Sequence, residues 1–330
     1  MPPAKRTPTR SAAKLRGGID LGGTKIEAIV VDGENQVLGS ARHPTPTEGG
    51  PADVAQGMAS AMNEAAQAAG TPAGKLLGVG VGSPGAVDSA VGAVADARNL
   101  PGWTGSFALG PTLSEQLGTP VTIGNDVQVA TDAEFRLGAG KPYDSLIGVF
   151  WGTGVGGGII LDGRPWHGRG GAGEIGHMVV KDGGRLCGCG NRGCMEAYAG
   201  RASMERRARK LVSRGRHTKL FEIMEKKGRQ RLTSSVWGRA LEHDDELATQ
   251  LIAEAVDALG AGIASAVNLL DIPAVIIGGG LGVRFGEGYV RRIEKAMHPH
   301  LFVGHQPPEI HLAALGDLGG AIGAALQVLN

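Results

Sequence analysis

The sequence has few aromatic residues, almost no cysteine, no long apolar run and almost no net charge. Only 4% of its 330 residues are aromatic. The net charge of +1 gives no global electrostatic case for nucleic acid or an acidic membrane as partner. No stretch approaches the roughly 18 consecutive apolar residues of a membrane helix. The three cysteines are an odd number, which argues against an extracellular disulfide framework. The N-terminal "MPPAKRTPTRSAAKLR" carries five basic residues, three prolines and no apolar core, so it is no secretory signal. Residues 1–16 read as a disordered basic tail, and a cytoplasmic location follows by default.

Glycine is abundant instead, at 57 residues. Without a collagen period, that many glycines imply tight turns and places where backbone must approach a ligand. Apolar residues at 42% and charged residues at 20% suit a globular chain, and its length suits two domains of about 100–200 residues each. From Gly17 the pattern reads strand, glycine turn, strand, Asp32-Gly33 turn, strand, then an alanine-rich helix over 51–69. It restarts at "SLIGVFWGTGVGGGIILDG": shifted by 130 positions, Gly22 falls on Gly152 and Asp32-Gly33 on Asp162-Gly163. A long helix near 247–270, a buried strand "AVIIGGG", a helix near 287–298, a strand "EIHLAAL" and a final helix complete the second copy. The plan is a duplicated βββαβαβα, an α/β fold of two lobes, and two similar lobes imply a ligand cleft. The expected lobes are 17–125 plus 316–330, and 126–315. The basic segment within 201–245 is an insertion that reads as solvated helices.

Three glycine clusters invite a phosphate reading: "DLGGTK", "WGTGVGGG" and "GGGLG". The second contains G-x-G-x-x-G, but a dinucleotide fingerprint must open a helix, and here the glycines run into the strand "IILDG". A Walker A loop is also excluded, because "GTPAGKLLG" lacks its spacing and its Ser or Thr. Glycine hairpins can still bind anions through successive backbone N–H groups. Two at repeat-equivalent positions are more than two plain turns would require. Asp126 in "IGND" stands at a strand-to-helix junction, where it would serve either as a helix cap or as a base. His177, Cys187, Cys189 and Cys194 have the spacing H-x₉-C-x-C-x₄-C. One imidazole and three thiolates suit a closed tetrahedral zinc site, with buried or redox-active cysteines as the alternative.

"DLGGTK", "WGTGVGGG" and "VIIGGG" resemble the two phosphate hairpins and the adenosine loop of the actin and sugar-kinase ATPase superfamily. "GHMVVKDGGRLCGCGNRGCMEAYAG" resembles the signature of its ROK family (repressor, open reading frame, kinase). The resemblance covers about 17–330. It implies a two-lobed actin-like ATPase fold and an ATP-dependent hexose kinase, with glucose first among the hexoses. It makes Asp126 the general base and Gly85, Asn99, Asn125, Asp126, Glu174, His177 and Glu196 the sugar contacts. It places nucleotide and Mg²⁺ on Asp20, Gly22, Gly23, Thr24, Lys25, Gly152, Thr153, Gly154, Gly278, Gly279, Gly280 and Leu281. It makes His177, Cys187, Cys189 and Cys194 ligands of a structural zinc ion, and it implies a homodimer or homotetramer.

Two departures bear on substrate preference. Gln128 stands where many relatives have Asn, and Phe150-Trp151 is bulkier than usual before the glycine turn. N-acetylglucosamine, N-acetylmannosamine, mannose, fructose and allose kinases share most of the motifs. The cysteine motif favours ATP over polyphosphate as donor. ROK repressors carry a helix-turn-helix domain before the first strand. Sixteen residues before Gly17 are too few for one, so no nucleic-acid partner is expected.

Overall fold

The computed structural model describes residues 14–97 and 100–329. The expected tail therefore lies mostly outside the described residues, as does the candidate sugar contact Asn99. The fold begins earlier than Gly17. Arg16 opens the first strand with its side chain buried, and its guanidinium donates to the Asp32 carbonyl oxygen and to Asn35 Oδ1.

One unit ends at Val129 and resumes at Gly320; the other is Ala130–Gly319. The first unit contains β1 (Arg16–Leu21), β2 (Lys25–Val31), β3 (Val37–Pro44), α1 (Pro51–Ala68) and β4 (Val79–Ser83). A small sheet of β5 (Ala86–Asp88), β6 (Ala93–Ala95) and β7 (Ser106–Phe107) follows, then α2 (Leu109–Leu117) and β8 (Val121–Asn125). Helix α3 (Asp126–Leu137) carries the chain across the division. The second unit contains β9 (Leu146–Trp151), β10 (Val155–Leu161) and β11 (Arg164–Pro165). Helices α4 (Glu196–Ala199), α5 (Arg201–Val212), α6 (Leu220–Lys226), α7 (Ser234–Glu242) and α8 (Glu246–Leu270) come next. The unit closes with β12 (Ala274–Gly278), α9 (Gly279–Met297) and β13 (Glu309–Leu312), and α10 (Gly319–Leu326) returns to the first unit.

The two main sheets have the same topology, β3-β2-β1-β4-β8 and β11-β10-β9-β12-β13. In each, the glycine hairpin pairs antiparallel, and two parallel strands add on its other side. The repeat legible in the sequence is thus a repeat of architecture. Parallel strands need crossover helices, and those helices bury both faces of the sheet. Strands β4 and β12 are accordingly buried throughout. Helix α10 lies close on β1 and β4 because Gly18 and Gly80 have no side chain; a Cβ at either would collide with the Ala321 or Ala324 carbonyl oxygen.

The equivalent Asp-Gly turns differ. Asp162 and Gly163 both have positive φ, 49° and 75°, as a two-residue hairpin turn demands. In the first copy the positive φ has moved to Asn35, at 63°, where Arg16 holds the asparagine side chain.

Helix α8 is long and apolar enough to cross a membrane by length and composition, yet 67% of that window is buried inside the unit. The 201–245 segment is not a set of merely solvated helices. Met204, Ala208, Leu220, Leu232, Val236 and Trp237 are all fully buried in the core of the second unit. Its basic residues occupy the other faces, as an amphipathic helix requires.

Candidate active site

In the first unit the β1–β2 hairpin is closed by the Gly22 amide donating to the Lys25 carbonyl oxygen at 2.9 Å. Thr45 pins it from the side, its hydroxyl donating to the Gly22 carbonyl oxygen at 2.6 Å. In the second unit the Gly152 amide closes the equivalent turn on the Gly154 carbonyl oxygen at 3.0 Å. In both hairpins the next two amides, of Gly23 and Thr24 and of Thr153 and Gly154, donate no hydrogen bond among the described residues. Successive unused amides at a turn form an anion-binding nest. The hairpin tips at Gly23 and Thr24 are exposed.

The third glycine cluster opens a helix. Strand β12 ends at Gly278, and α9 starts at Gly279 with φ at 79°. This stretch packs on Phe150-Trp151: a Cβ on Gly278 would come within 2.6 Å of the Phe150 ring, and one on Gly279 within 2.6 Å of the Trp151 backbone. The bulky pair before the hairpin is therefore accommodated by glycines in the loop that faces it. Trp151 is fully buried, donates through Nε1 to the Ala199 carbonyl oxygen, and meets Phe285 edge-on. Within α9 the stretch after Gly286 is the helix read from sequence near 287–298, and a further helical segment from Gly279 precedes it, its glycine-rich first turn hiding its period. The two segments meet in a kink at Gly286, whose φ is 65°.

At the end of β8, Asn125 is the cap of α3. Its Oδ1 accepts from the Val127 and Gln128 amides, both at 3.2 Å. Asp126 is the first helical residue, and it also accepts from the Val127 amide. The capping role that sequence left open for Asp126 thus belongs to its neighbour. Gly82 lies beside Asp126, and Gly85, after Pro84, has φ at 96°, a conformation that favours glycine.

On the second unit, Glu174 and His177 flank a single 3₁₀ turn, with Glu174 Oε2 at 4.0 Å from His177 Nε2. His177 Nδ1 faces the other way, 3.7 Å from Cys187 Sγ. The ligand atoms of His177, Cys187, Cys189 and Cys194 all lie within 4.8 Å of one another. Cys187 and Cys194 are buried, and burial pushes the Cys187 thiol up to about 12 and raises Cys194. Cys189 is lowered, chiefly by a backbone hydrogen bond from Asn191. Buried thiols resist ionisation until a cation compensates, so three thiols and an imidazole converging here are a donor set that fits a divalent soft metal. Glu196 connects this cluster to the hairpin: Oε2 accepts from the Val155 amide at 2.9 Å, and Oε1 lies 3.8 Å from Cys187 Sγ.

Residues 16–330 match the ROK family. The chain belongs to the ROK family. It is 33% identical over 319 residues to a glucokinase of Streptomyces coelicolor, covering 93% of this chain and 95% of that one. It is 31% identical over 321 residues to an N-acetylmannosamine kinase of Haemophilus influenzae, covering 94% of each. A solved structure of a ROK family glucokinase from Streptomyces griseus, in complex with glucose and AMPPNP, matches it with a TM-score of 0.80 at 32% identity, over 95% of this chain and 98% of that one. The duplicated sheets are those of the two-lobed actin-like ATPase fold that ROK sugar kinases share.

Two features of this ROK chain were not legible in its sequence. One is the Glu196 link to Val155. The other is Arg201, at the start of α5, whose Nη2 donates to the Thr153 hydroxyl at 2.7 Å. Partners 41 and 48 residues apart leave no local spacing signal.

Asp20 lies beneath the first hairpin, against Gly320. Burial pushes its carboxyl from 3.8 up to about 6, against the pull of Lys25 and with a further push from Glu27. A carboxyl raised in this way binds its proton more tightly in the folded chain. It therefore lowers folding stability as pH rises from 3.8 to about 6, and the loss persists above. Asp20→Asn should raise the stability of the ligand-free protein at pH 8 by up to about 3 kcal/mol. That advantage should shrink as pH falls from 6 toward 4. Urea unfolding at three pH values checks both the sign and the window.

Proposed function

We propose that the chain is an ATP-dependent hexose kinase that phosphorylates the 6-hydroxyl of glucose, giving glucose 6-phosphate and ADP. The observation that carries this reading is the pair of repeat-equivalent hairpins with two unused amides each, in a chain that matches sugar kinases along nearly its whole length. The carboxylate of Asp126 accepts the proton of the sugar 6-hydroxyl as its oxygen attacks the terminal phosphorus. The new O–P bond forms as the bond to the bridging oxygen breaks, and ADP carries that oxygen away. Phosphoryl transfer is mostly positioning and neutralised charge. The backbones of Gly22, Gly23, Thr24, Gly152, Thr153 and Gly154 cradle the phosphates, with the unused amides of Gly23, Thr24, Thr153 and Gly154 as donors; Lys25 adds charge, and Gly278–Leu281 serves the adenosine. Asp20 would hold Mg²⁺ through water, since that ion keeps much of its hydration shell and neutralises phosphate charge when bound.

Gly85, Asn99, Asn125, Glu174, His177 and Glu196 form the proposed sugar set. His177 has a nitrogen for each task, Nδ1 toward the cysteines and Nε2 toward Glu174 and the sugar. A structural zinc ion on His177, Cys187, Cys189 and Cys194 would fix that loop. Family resemblance further supports a homodimer or homotetramer.

The test is ADP release across a panel of glucose, N-acetylglucosamine, N-acetylmannosamine, mannose, fructose and allose, with ATP and polyphosphate as donors. Glucose with ATP should give the highest kcat/KM. Preference for another hexose would overturn the glucose assignment, and no stimulation by any hexose would overturn the kinase.

A further inference from the structure

Arg201 sits where the family motifs assign nothing. It is half-buried at the first position of a 12-residue helix, α5. Its own amide donates to the Gly152 carbonyl oxygen at 3.1 Å, and the Ala202 amide donates to that of Thr153 at 3.0 Å. The start of α5 thus holds the second hairpin by its carbonyl groups, leaving the Thr153 and Gly154 amides unused. Among the described residues the Arg201 guanidinium bonds only to the neutral hydroxyl of Thr153 and forms no ion pair. Glu205, one turn along, is already engaged with Arg209 and with the Leu232 amide. Burial works against the charge on Arg201, with Glu205 supporting it and Arg231 opposing it.

A guanidinium has five N–H donors and stays charged, and the Thr153 hydroxyl takes only one of them, so the others remain available to an anion beside the hairpin. Oxygen-rich anions suit the planar fork best. The neighbouring unused amides and the positive end of α5 favour negative charge at the same spot.

We propose that Arg201 is the cationic contact for the phosphates of the nucleotide at the Gly152–Gly154 hairpin. Nη2 holds the Thr153 hydroxyl so that its proton points to a phosphate oxygen, and the remaining guanidinium N–H groups meet the phosphates directly. This deepens the kinase reading and rests on it.

The experiment measures equilibrium binding of ATP and of adenosine to the full-length chain and to its Arg201→Met and Arg201→Lys variants. Arg201→Met should weaken ATP by about 10–100-fold, the range for charge-assisted hydrogen bonds, and leave adenosine unchanged. Arg201→Lys should recover part of the loss, because it keeps the charge and loses the fork. Unchanged ATP binding in Arg201→Met would overturn the proposal. So would an equal loss of ATP and adenosine, which would mean that Arg201 only supports the loop. Hexose-dependent ADP release by the wild-type chain judges the kinase reading separately, so failure of one is distinguishable from failure of the other.

Discussion

Asp126→Asn is expected to lower turnover by about 10²–10⁴-fold while hexose and ATP affinities stay close to wild type. The asparagine keeps the size of the side chain and one oxygen, so it preserves contact with the sugar hydroxyl and loses only the capacity to take its proton. Local structure should survive the change, because the cap of α3 is Asn125, whose Oδ1 already receives the Val127 and Gln128 amides. That separation makes the variant informative: a fall in kcat with little change in KM isolates the proton transfer. Steady-state kinetics with the best hexose, alongside hexose binding by calorimetry, measures it. Near-normal turnover would remove Asp126 from the mechanism. Asn125→Ala should behave differently, since losing the cap on the Val127 and Gln128 amides costs about 1 kcal/mol of stability.

Cys194→Ser, or removal of metal by a strong chelator, is expected to take bound zinc from one ion per chain to none and to destabilise the second unit by several kcal/mol. The loop from His177 to Cys194 is tied in part without metal, Met178 and Val180 packing on the core and Arg185 pairing with Glu254, while the segment around the cysteines is turns held by backbone bonds such as that from the Cys187 amide to the Asn191 carbonyl oxygen. Its packed apolar group is small, Cys187, Cys194 and Ala197 with Tyr198 against them, and its pairing consists of isolated bridges at Val179–Cys194 and Leu186–Arg192. Zinc uptake should also release protons, because thiols that burial keeps protonated must ionise to act as ligands. Functionally, hexose affinity should fall more than ATP affinity, since Glu174, His177 and Glu196 all belong to this loop or its flanks. The Glu196 bond to the Val155 amide, beside Gly154, transmits a smaller loss to the phosphate hairpin. Metal analysis, thermal unfolding and separate titrations of hexose and ATP distinguish these effects. An equal loss for both ligands would contradict a loop that serves mainly the sugar, and full stability without metal would contradict a structural zinc site.

The sequence by itself determined whatever depends on neighbours along the chain. The repeat with its offset of 130, the two glycine hairpins, the Asn125-Asp126 junction and the cysteine spacing are all short-range patterns. Each is fixed by turn geometry, strand periodicity or ligand spacing within a few residues. Where sequence reasoning went astray, a local rule met a distant partner. The left-handed residue of the first Asp-Gly turn moved to Asn35 because Arg16 reaches across to it. The basic 201–245 segment hid a buried face because its apolar residues are spread over three short helices, α5 to α7, none long enough to show a clear period. The helical segment of α9 before Gly286 went unread because its glycines, poor in helix propensity, are there to clear Phe150 and Trp151. Only the tertiary structure decided that Glu196 reaches Val155 and that Arg201 reaches Thr153. Such contacts arise when the folded core brings distant segments together, and a half-buried carboxylate or guanidinium takes whatever partner that packing presents.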